Sequence, residues 1–461
     1  MILIRLAASF RSRTVRFCLA TPLLIVSLHA GPWESLFDGK TLDGWKALGG
    51  QAPYAVEDGS IVGTTVADTP NAFLATQRTY GDFIFECEVL QEGGPTNSGI
   101  QFRSQSLPTY QNGRVHGYQF EIDPSPRAWT GGIYDEARRG WLYPGTLNPA
   151  AADLYQLGRW NHIRIEAIGS SLRTWVNGRP VSHVIDGLTR EGFIALQVHS
   201  VGKQLEQVGR RIRWRNLRIQ TSELVPSPLD AIPVRNLQPN DLSAAERAAG
   251  WRMLWDGATG ARWRGVNQTG FPAQGWTFAN GELRCAPTGA KPRGGDLVTQ
   301  ESFGAFEFQF DFRLTAGANS GIKYFVTERP PTEGALGLEF QLLDDERHAD
   351  AAKGAGGNRL LGSLYDLIPR AVALNGLGIA PRIGEWQHGR IVVHPDHRVE
   401  HWLNGINVVE YTRGSPLFKS LVARSKFEKN EGFGLAEKGP ILLQDHGDEV
   451  HFRSLKIRPL R

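Results

Sequence analysis

The sequence is poor in the residues that build disulfide frameworks and metal centres. Of its 461 residues, 3 are cysteine and 2 are methionine. It contains no CxxC and no HExxH pattern, which excludes the common zinc sites. Beyond residue 30 only Cys87 and Cys285 remain, and two cysteines do not make a disulfide framework. We therefore expect two buried free thiols.

The sequence also offers no obvious membrane-spanning run. The apolar stretch from Cys18 to Leu28 is short for a bilayer span. It follows a basic segment and precedes a small residue, Ala30, which is typical of a secretory signal peptide. The basic residues of this segment are Arg5, Arg11, Arg13 and Arg16. Residues 1–30 are therefore predicted to be a signal peptide that exports the chain to the periplasm or beyond, and a membrane-anchored N-terminus is the alternative.

Excess charge of either sign is missing as well. The four leader arginines are the only charged residues of residues 1–30, so removing them lowers Lys+Arg from 51 to 47, equal to Asp+Glu at 47. No basic stripe argues for nucleic acid or for an anionic membrane as a partner. A neutral ligand suits this balance better.

Glycine and tryptophan, in contrast, are abundant, and the chain repeats itself. The 53 glycines and 13 tryptophans suit a turn-rich all-β protein. Matched segments recur in the same order with only loop lengths changed, which indicates duplication of a whole domain. The clearest pairs are Leu36–Gly39 with Leu254–Gly257, Asn97–Ile100 with Asn319–Ile322, Gly132–Asp135 with Ser363–Asp366, Trp175–Gly178 with Trp402–Gly405, and Leu196–His199 with Leu443–His446.

These matches divide the chain into two copies. We predict a first domain at residues 31–220, a linker at residues 221–250 and a second domain at residues 251–461. The linker carries proline and lacks periodicity. It ends in a short helix, with Ser243 as its N-cap and Glu246 completing a capping box.

Alternation of apolar and polar residues with period two predicts half-buried strands in both copies. Asn177-Gly178 and Asn404-Gly405 predict hairpin turns. Many short strands of this kind favour a β-sandwich or jelly roll. The polar positions would form one sheet face in each copy: Lys323, Glu339, Gln341, Gln444 and His446 in the second, and Gln101, Arg103, Gln119, Glu121, Gln197 and His199 in the first.

Such a face, with amides, a carboxylate, a histidine and a cation, suits sugar hydroxyls, which both donate and accept hydrogen bonds. A solvated outer face is the alternative. The extra first-copy aromatics Trp129, Trp141 and Tyr143 are candidates for a sugar-stacking platform. By contrast, Asn319-Ser320-Gly321 is interpreted as a structural turn that uses glycine's permissive φ.

The motifs together resemble the 3-keto-disaccharide hydrolase domain family. The resemblance spans about Trp33 to Gln220 and Trp251 to Arg458, and it is strongest at Leu338–His348 and Leu442–Val450. The first copy is more distant, because Gln119 stands where the second copy has Glu339. The resemblance implies two tandem concanavalin-like jelly-roll sandwiches, export, and action on glycosides whose sugar carries a ketone at C3.

The chemistry so implied is proton abstraction at C2 followed by elimination of the C1 oxygen, with optional addition of water. For the second copy we expect Glu339 or His446 as the base, Lys323 or His348 to stabilise the enolate, and Tyr365 to donate to the leaving group or to a hydroxyl. Asp344 and Asp345 would orient these groups or hold a divalent cation, although the sequence requires no cofactor.

The remaining predicted substrate-binding residues are Gln341, Asp344, Gln444, Arg103, Glu121, Tyr134, His199 and Trp141. Two other functions stay open at this point. The pair of sandwiches could bind glycan without turnover, which Gln119 favours for the first copy. It could also serve as a scaffold in an exported complex.

Overall fold

A computed structural model of the chain describes residues 31–286, 294–330, 334–371 and 382–461. The predicted signal peptide therefore lies outside the described residues. Among those described, no helix has the length and apolar content needed to cross a membrane.

Strands make up nearly all of the regular structure in both copies. The first domain and the linker contain β1 (Glu34–Ser35), β2 (Trp45–Gly49), β3 (Tyr54–Glu57), β4 (Ser60–Thr64), β5 (Ala72–Thr76), β6 (Phe83–Glu92), β7 (Ser98–Gln105), β8 (His116–Ile122), β9 (Ile133–Glu136), β10 (Gly140–Tyr143), β11 (Asn161–Ile168), β12 (Ser171–Val176), β13 (Arg179–Ile185), β14 (Phe193–Val198), β15 (Arg211–Gln220), β16 (Arg235–Asn236) and the helix α1 (Ala244–Ala248).

The second domain contains β17 (Arg252–Met253), β18 (Trp263–Gly265), β19 (Trp276–Ala279), β20 (Glu282–Cys285), β21 (Leu297–Thr299), β22 (Phe306–Leu314), β23 (Asn319–Glu328), β24 (Ala335–Leu343), β25 (Gln387–Val393), β26 (Arg398–Leu403), β27 (Ile406–Thr412), the helix α2 (Pro416–Val422), β28 (Leu442–Leu443) and β29 (Val450–Pro459).

Each domain is a sandwich of two sheets, which confirms the predicted all-β jelly-roll class. In the first domain one sheet runs β16-β13-β12-β11-β6-β15-β4-β3 with β1 beside β15, and the other runs β10-β9-β8-β7-β14-β5-β2. In the second domain the sheets run β19-β20-β29-β22-β25-β26-β27, with β17 beside β29, and β18-β21-β28-β23-β24. The equivalent strands β14-β7-β8 and β28-β23-β24 are thus neighbours in both copies.

Alternating apolar residues build the core between the sheets. Phe306, Phe308, Phe310 and Phe312 of β22 all point into the second-domain core and are fully buried. Each such side chain contributes roughly 1.5–3 kcal/mol relative to exposure. Cys87 and Cys285 are buried free thiols, as expected.

Both predicted hairpins are present. Asn177 and Gly178 join β12 to β13 with φ of 49° and 76°, and Asn404 and Gly405 join β26 to β27 with φ of 49° and 85°. Two consecutive residues with positive φ make the turn whose twist matches that of the flanking strands.

The linker is tied to both sandwiches. Arg235–Asn236 forms β16, which pairs in parallel with β13 of the first domain. The capping box is present, since Ser243 Oγ accepts the Glu246 amide at 3.2 Å and the Ser243 amide donates to Glu246 Oε2 at 2.8 Å. Glu246 Oε1 also pairs at 2.5 Å with Lys456 of β29. The helix therefore fastens the linker to the second domain.

The period-two pattern fails at one matched pair of positions. Arg103 and Phe325 have positive φ of 44° and 52°, and the pairing registers shift beside both. Each is therefore part of a β-bulge, which turns the side chain off the face that alternation assigns to it. Phe325 lies in the core instead of outside.

The prediction that Arg103 binds substrate is therefore wrong. Its side chain is 0% exposed and pairs with Asp82 at 2.7 Å. It also donates to the carbonyl oxygens of Gly81, Gly169 and Ala167 at 2.7, 2.7 and 3.1 Å. Every one of these partners is structural, so the guanidinium has no path to a ligand.

Candidate active site

The second-domain cavity lies on β23, β24 and the residues after β28. Lys323 of β23 stands directly opposite Glu339 of β24, and Gly321 stands opposite Gln341. The cavity has a volume of about 330 Å³, enough for a sugar ring and its substituents. Its lining includes Asn319, Lys323, Arg329, Glu339, Gln341, Tyr365, Lys426, Phe427, Asn430, Gln444 and His446. All five residues predicted for this sheet face therefore line one cavity together with Tyr365.

Glycine at position 321 makes room for the Glu339 carboxylate. A Cβ built on Gly321 would lie 2.1 Å from Glu339 Oε1, closer than real Cβ contacts allow. Gly321 lies within β23 and has no positive φ. The prediction of a turn at Asn319-Ser320-Gly321 is therefore wrong, because the glycine serves a close approach within a strand.

Glu339 is a buried carboxylate that shares its cavity with two ammonium groups. It is 6% exposed. Burial raises its pKa, and the charges of Lys323 and Lys426 oppose that rise. In the orientation that satisfies both amide atoms of Gln341, its nitrogen donates to Glu339 Oε1 at 3.3 Å. A carboxylate in these surroundings is suited to take up a proton at neutral pH.

Lys426 was missed by the sequence predictions. It belongs to the segment after α2, where the second copy is longer than the first. Its ammonium lies 4.0 Å from the centre of the Tyr365 ring, and burial lowers its pKa. The extra length at Arg413–Gly439 was the available signal, but no pattern in it distinguishes Lys426 from its neighbours.

The Tyr365 hydroxyl is already engaged. It donates to Asp350 Oδ2 at 2.7 Å, and burial together with this hydrogen bond raises its pKa. Tyr365 therefore presents its oxygen lone pairs to the cavity. The predicted role as donor to a leaving group would require this hydrogen bond to break.

His348 lies beside the cavity and His446 at its mouth. Their ring centres are 6.1 Å apart in an edge-to-face arrangement. With Asp448 they form a group whose candidate ligand atoms lie within 4.8 Å of one another. However, His348 Nδ1 accepts the Asp350 amide at 3.1 Å, so in its neutral form Nε2 carries the proton and is a donor. That tautomer fits hydrogen bonding to an anion better than it fits a metal.

Asp344 and Asp345 are occupied by structural partners. Asp344 is 1% exposed. It accepts the amides of Gly317 at 2.8 Å and of Glu346 at 3.2 Å. Asp345 accepts the Leu361 amide at 2.7 Å and pairs with Arg370 at 2.6 Å. The predictions that Asp344 binds substrate and that the two carboxylates hold a cation are therefore wrong, because these side chains fix the loop after β24.

The first-domain cavity occupies the equivalent face and has a volume of about 360 Å³. Its lining consists of Asn71, Asn97, Arg114, Gln119, Glu121, Arg127, Tyr134, Glu136, Trp141 and His199. The predicted residues Glu121, Tyr134, His199 and Trp141 thus lie together. In β8, Gln119 stands opposite Gln101 and Glu121 opposite Gly99. Compared with β24, the carboxylate and the amide have exchanged places two residues apart on the same strand.

The molecule thus contains two related domains, each with one polar cavity. The model of the 3-keto-alpha-glucoside-1,2-lyase-like domain matches residues 32–220 and again residues 250–458. The chain belongs to this family.

Each of the individual relatives matches a part of the chain about as long as one domain. A Bacteroides thetaiotaomicron protein named 3-keto-disaccharide hydrolase is 33% identical over 237 residues, which cover 46% of this chain and 79% of that protein. The crystal structure of a candidate glycosyl hydrolase from Parabacteroides distasonis is 28% identical, covers 49% of this chain and 100% of that chain, and has a TM-score of 0.42. Carbohydrate binding module CBM66 from Bacillus subtilis is 17% identical, covers 38% of this chain and 95% of the module, and has a TM-score of 0.26.

Within this family's fold, the first-domain cavity holds its carboxylate by hydrogen bonds. Asn97 Nδ2 donates to Glu121 Oε1 at 2.6 Å, and Gln119 Nε2 donates to Glu121 Oε2 at 2.8 Å. Burial raises the pKa of Glu121 to about 7. His199 Nδ1 lies 2.7 Å from the Ser200 carbonyl, so it carries the ring proton. Burial lowers the pKa of His199, which leaves Nε2 as an acceptor.

Only one of the three aromatic residues predicted to stack on sugar reaches this cavity. Trp141 lines it and contacts Tyr134 edge-to-face, with 5.2 Å between the ring centres. Trp129 is 6% exposed and joins the second-domain core cluster. Tyr143 is fully buried and donates to the Pro233 carbonyl at 3.0 Å. The platform predicted for Trp129 and Tyr143 is therefore wrong, since both rings are used in packing.

Proposed function

We propose that the second domain cleaves glycosides whose sugar carries a ketone at C3, by removing the C2 proton and eliminating the C1 substituent. Family membership and the named hydrolase relative support this substrate class. The observation that carries the proposal is the buried Glu339 carboxylate in a sugar-sized cavity that is also lined by Lys323 and Lys426, whose charges act on it.

The chemistry needs little from the protein beyond a base and a cation. A C3 ketone acidifies the C2 hydrogen, which the base removes to leave an enolate. Collapse of the enolate forms a C1=C2 double bond as the C1–O bond breaks, and the departing oxygen takes up a proton. The products are a 3-keto-2-hydroxyglucal and an alcohol, and addition of water to the glucal gives net hydrolysis without the paired carboxylates of ordinary glycosidases.

Glu339 is the proposed base, because its raised pKa gives a carboxylate that holds an abstracted proton well. Lys323 and Lys426 approach the same carboxylate and are the proposed enolate stabilisers. His446 at the mouth is the proposed donor to the departing oxygen. Gln341 and Gln444 would hold sugar hydroxyls.

A direct assay tests this assignment. The mature protein is incubated with both anomers of a methyl 3-keto-glucoside, and the conjugated enone of the glucal is followed by ultraviolet absorbance. Glu339→Gln should lower the second-domain rate about 10²–10⁴-fold, the range for loss of a general base. Glu410→Gln, an exposed substitution on β27, is the matched control and should be unaffected. Tight binding without turnover by the unaltered protein would replace this proposal with the glycan-binding alternative.

We further propose that the chain is exported, as the sequence of residues 1–30 predicts. The neutral charge balance of the remaining chain and its pair of buried thiols are compatible with an oxidising compartment. Fractionation of expressing cells, followed by N-terminal sequencing, should find the protein outside the cytoplasm and beginning near Gly31. A cytoplasmic, full-length chain would contradict export.

A further inference from the structure

The first-domain cavity keeps the parts of a base site although its strand differs from the family-typical one. Glu121 is 4% exposed and accepts one hydrogen bond on each carboxylate oxygen, from Asn97 and Gln119. These donors orient the carboxylate, while each oxygen keeps a second lone pair for a substrate proton. Gln119 is itself held by Gln101 Nε2 at 2.5 Å and Gln197 Nε2 at 3.0 Å. This connected row of amides fixes Glu121 in place.

An acid partner lies in the same cavity. Tyr134 lines it, and among the described residues its hydroxyl has no hydrogen-bond partner. Burial raises the pKa of Tyr134, which keeps the phenol protonated. This differs from Tyr365, the matched residue of the second domain, whose proton is committed to Asp350.

The cavity opens into a larger cleft between the two domains. The cleft has a volume of about 830 Å³ and shares Arg114, Tyr134 and Trp141 with the first-domain cavity. Its other walls come from further residues of the first domain, from the linker and from the second domain, and they include Arg235, Arg382 and Trp386. A ligand seated on Glu121 would therefore extend into the cleft.

One arginine of the cleft has a guanidinium nitrogen with neither a hydrogen bond nor a close ion pair among the described residues. Arg138, Arg139 and Arg453 pair with aspartates. The side chain of Arg235, in contrast, makes no hydrogen bond or close ion pair there. Its Nη1 is buried without a hydrogen-bond partner, and the carboxylates of Asp311 and Glu246 act on it only from a longer distance. A buried guanidinium nitrogen without a hydrogen bond is costly. A carboxylate on a bound ligand would satisfy it.

We propose that the first domain is a second elimination site for 3-keto-glycosides, with Glu121 as its base, and that the interdomain cleft receives a leaving group that carries a carboxylate. This inference rests on the proposed function, because it assigns the same reaction class to the other copy. It adds a catalytic residue, a second site and a preference for an acidic aglycone.

The step balances within the protein and its substrate. Glu121 takes the C2 proton, and the electron pair of that bond passes through the enolate to become the C1=C2 double bond. The C1–O bond breaks, and the departing oxygen takes the Tyr134 hydroxyl proton. Exchange with solvent then removes the proton from Glu121 and returns one to Tyr134, which restores both groups. No oxidant or other co-reactant is needed.

Variants separate the two sites. Glu339→Gln should retain turnover of a 3-keto-glucoside at least about tenfold above that of the Glu121→Gln, Glu339→Gln double variant. Glu206→Gln, exposed in the first domain, is the matched control in the Glu339→Gln background and should change nothing. Melting temperatures establish that each variant is folded.

The outcomes distinguish the two proposals. Turnover that is equally absent in Glu339→Gln and in the double variant, with the unaltered protein active, overturns the second site and leaves the proposed function standing. An unaltered protein inactive on every 3-keto-glucoside overturns both.

The leaving-group preference is tested in the Glu339→Gln background. Two 3-keto-glucosides are compared, one with glucose and one with glucuronate as the leaving group. The acidic substrate should have a kcat/KM about tenfold higher, and Arg235→Gln should remove this advantage through KM while turnover of the neutral substrate persists. Equal kcat/KM for the two substrates, or a preference that survives Arg235→Gln, overturns the assignment of the cleft.

Discussion

The absence of a side chain at Gly321 allows the carboxylate of Glu339, the proposed base, to occupy its observed position. Gly321→Ala adds a methyl group only 2.1 Å from the place that Glu339 Oε1 occupies, so the carboxylate must move while the extended backbone tolerates alanine. A displacement of about 1 Å can lower a rate by about 10²-fold. We expect a loss of that order in second-domain turnover, measured in the Glu121→Gln background.

The control for this substitution is Gly270→Ala. A Cβ at Gly270 meets nothing within 4 Å, and its φ is not positive. Its turnover and melting temperature should match those of the background protein. Full activity of Gly321→Ala would show that the Glu339 carboxylate is not needed at its observed place.

The pH dependence of the first-domain site follows from Glu121. Its pKa is raised to about 7 by burial, and a base must be deprotonated to act. In the Glu339→Gln variant, kcat/KM should therefore rise with pH and level off above about pH 7. The groups that face Glu121 and contribute to this pKa are Asn97, Gln119, Asp123 and Arg127. A rate that is flat from pH 5 to pH 8 would contradict the assignment.

At the scale of single residues, the sequence predicted which side chains lie in the cavity better than it predicted which of them are already hydrogen-bonded to other parts of the protein. Alternation placed Lys323, Glu339 and Gln341 on one face, and the structure brings them into one cavity. It could not predict that the Asp344 carboxylate is saturated by backbone amides, because those amides come from the three-dimensional course of the loops. Lys426 arrives from a distant segment for the same reason.

At the scale of elements, the capped helix α1 holds a buried ion pair. Glu246→Ala removes the partner of Lys456, which is 2% exposed, and leaves an uncompensated buried charge. Breaking such a pair typically costs about 3–5 kcal/mol. We expect a loss of that order in the free energy of unfolding of the second domain, measured by urea denaturation.

An exposed ion pair provides the comparison. Glu301→Ala breaks the pair with Arg252, whose atoms lie 2.6 Å apart and whose side chains are 47% and 34% exposed. Surface pairs contribute about 0–1 kcal/mol, so this variant should unfold near the parent midpoint. Equal effects of the two substitutions would mean that the Glu246 pair does not anchor the linker.

The bulges mark the limit of strand periodicity as a predictor. Two-residue alternation assigns Arg103 and Phe325 to the polar face, yet a positive φ at each turns them away. Neither position carries glycine or asparagine, the residues that favour positive φ. No local sequence pattern therefore predicts either bulge, whereas the Asn-Gly pairs predict both hairpin turns.

For the whole molecule, the repeat predicted two sandwiches, but it contained no information about the space between them. The cleft is lined by loops, linker and strands that are far apart in the chain. Overall neutrality of residues 31–461 favoured a neutral ligand, while Nη1 of Arg235 has no hydrogen-bond partner among the described residues of the cleft. The net charge is a sum over the whole chain and does not show a local positive charge such as that of Arg235. It could therefore not predict an acidic leaving group.

The number of thiols that react with a reagent tests two predictions: the burial of Cys87 and Cys285, and the removal of residues 1–30. Cys87 and Cys285 are buried in different domains, and burial raises the pKa of both thiols, so the reactive thiolates are scarce and shielded. A thiol reagent should find no reactive group in the native protein. After denaturation it should find two groups if the chain begins near Gly31, and three if Cys18 is retained. Rapid reaction of the native, processed protein would contradict the buried positions, and three thiols in protein recovered from outside the cytoplasm would contradict cleavage after Ala30.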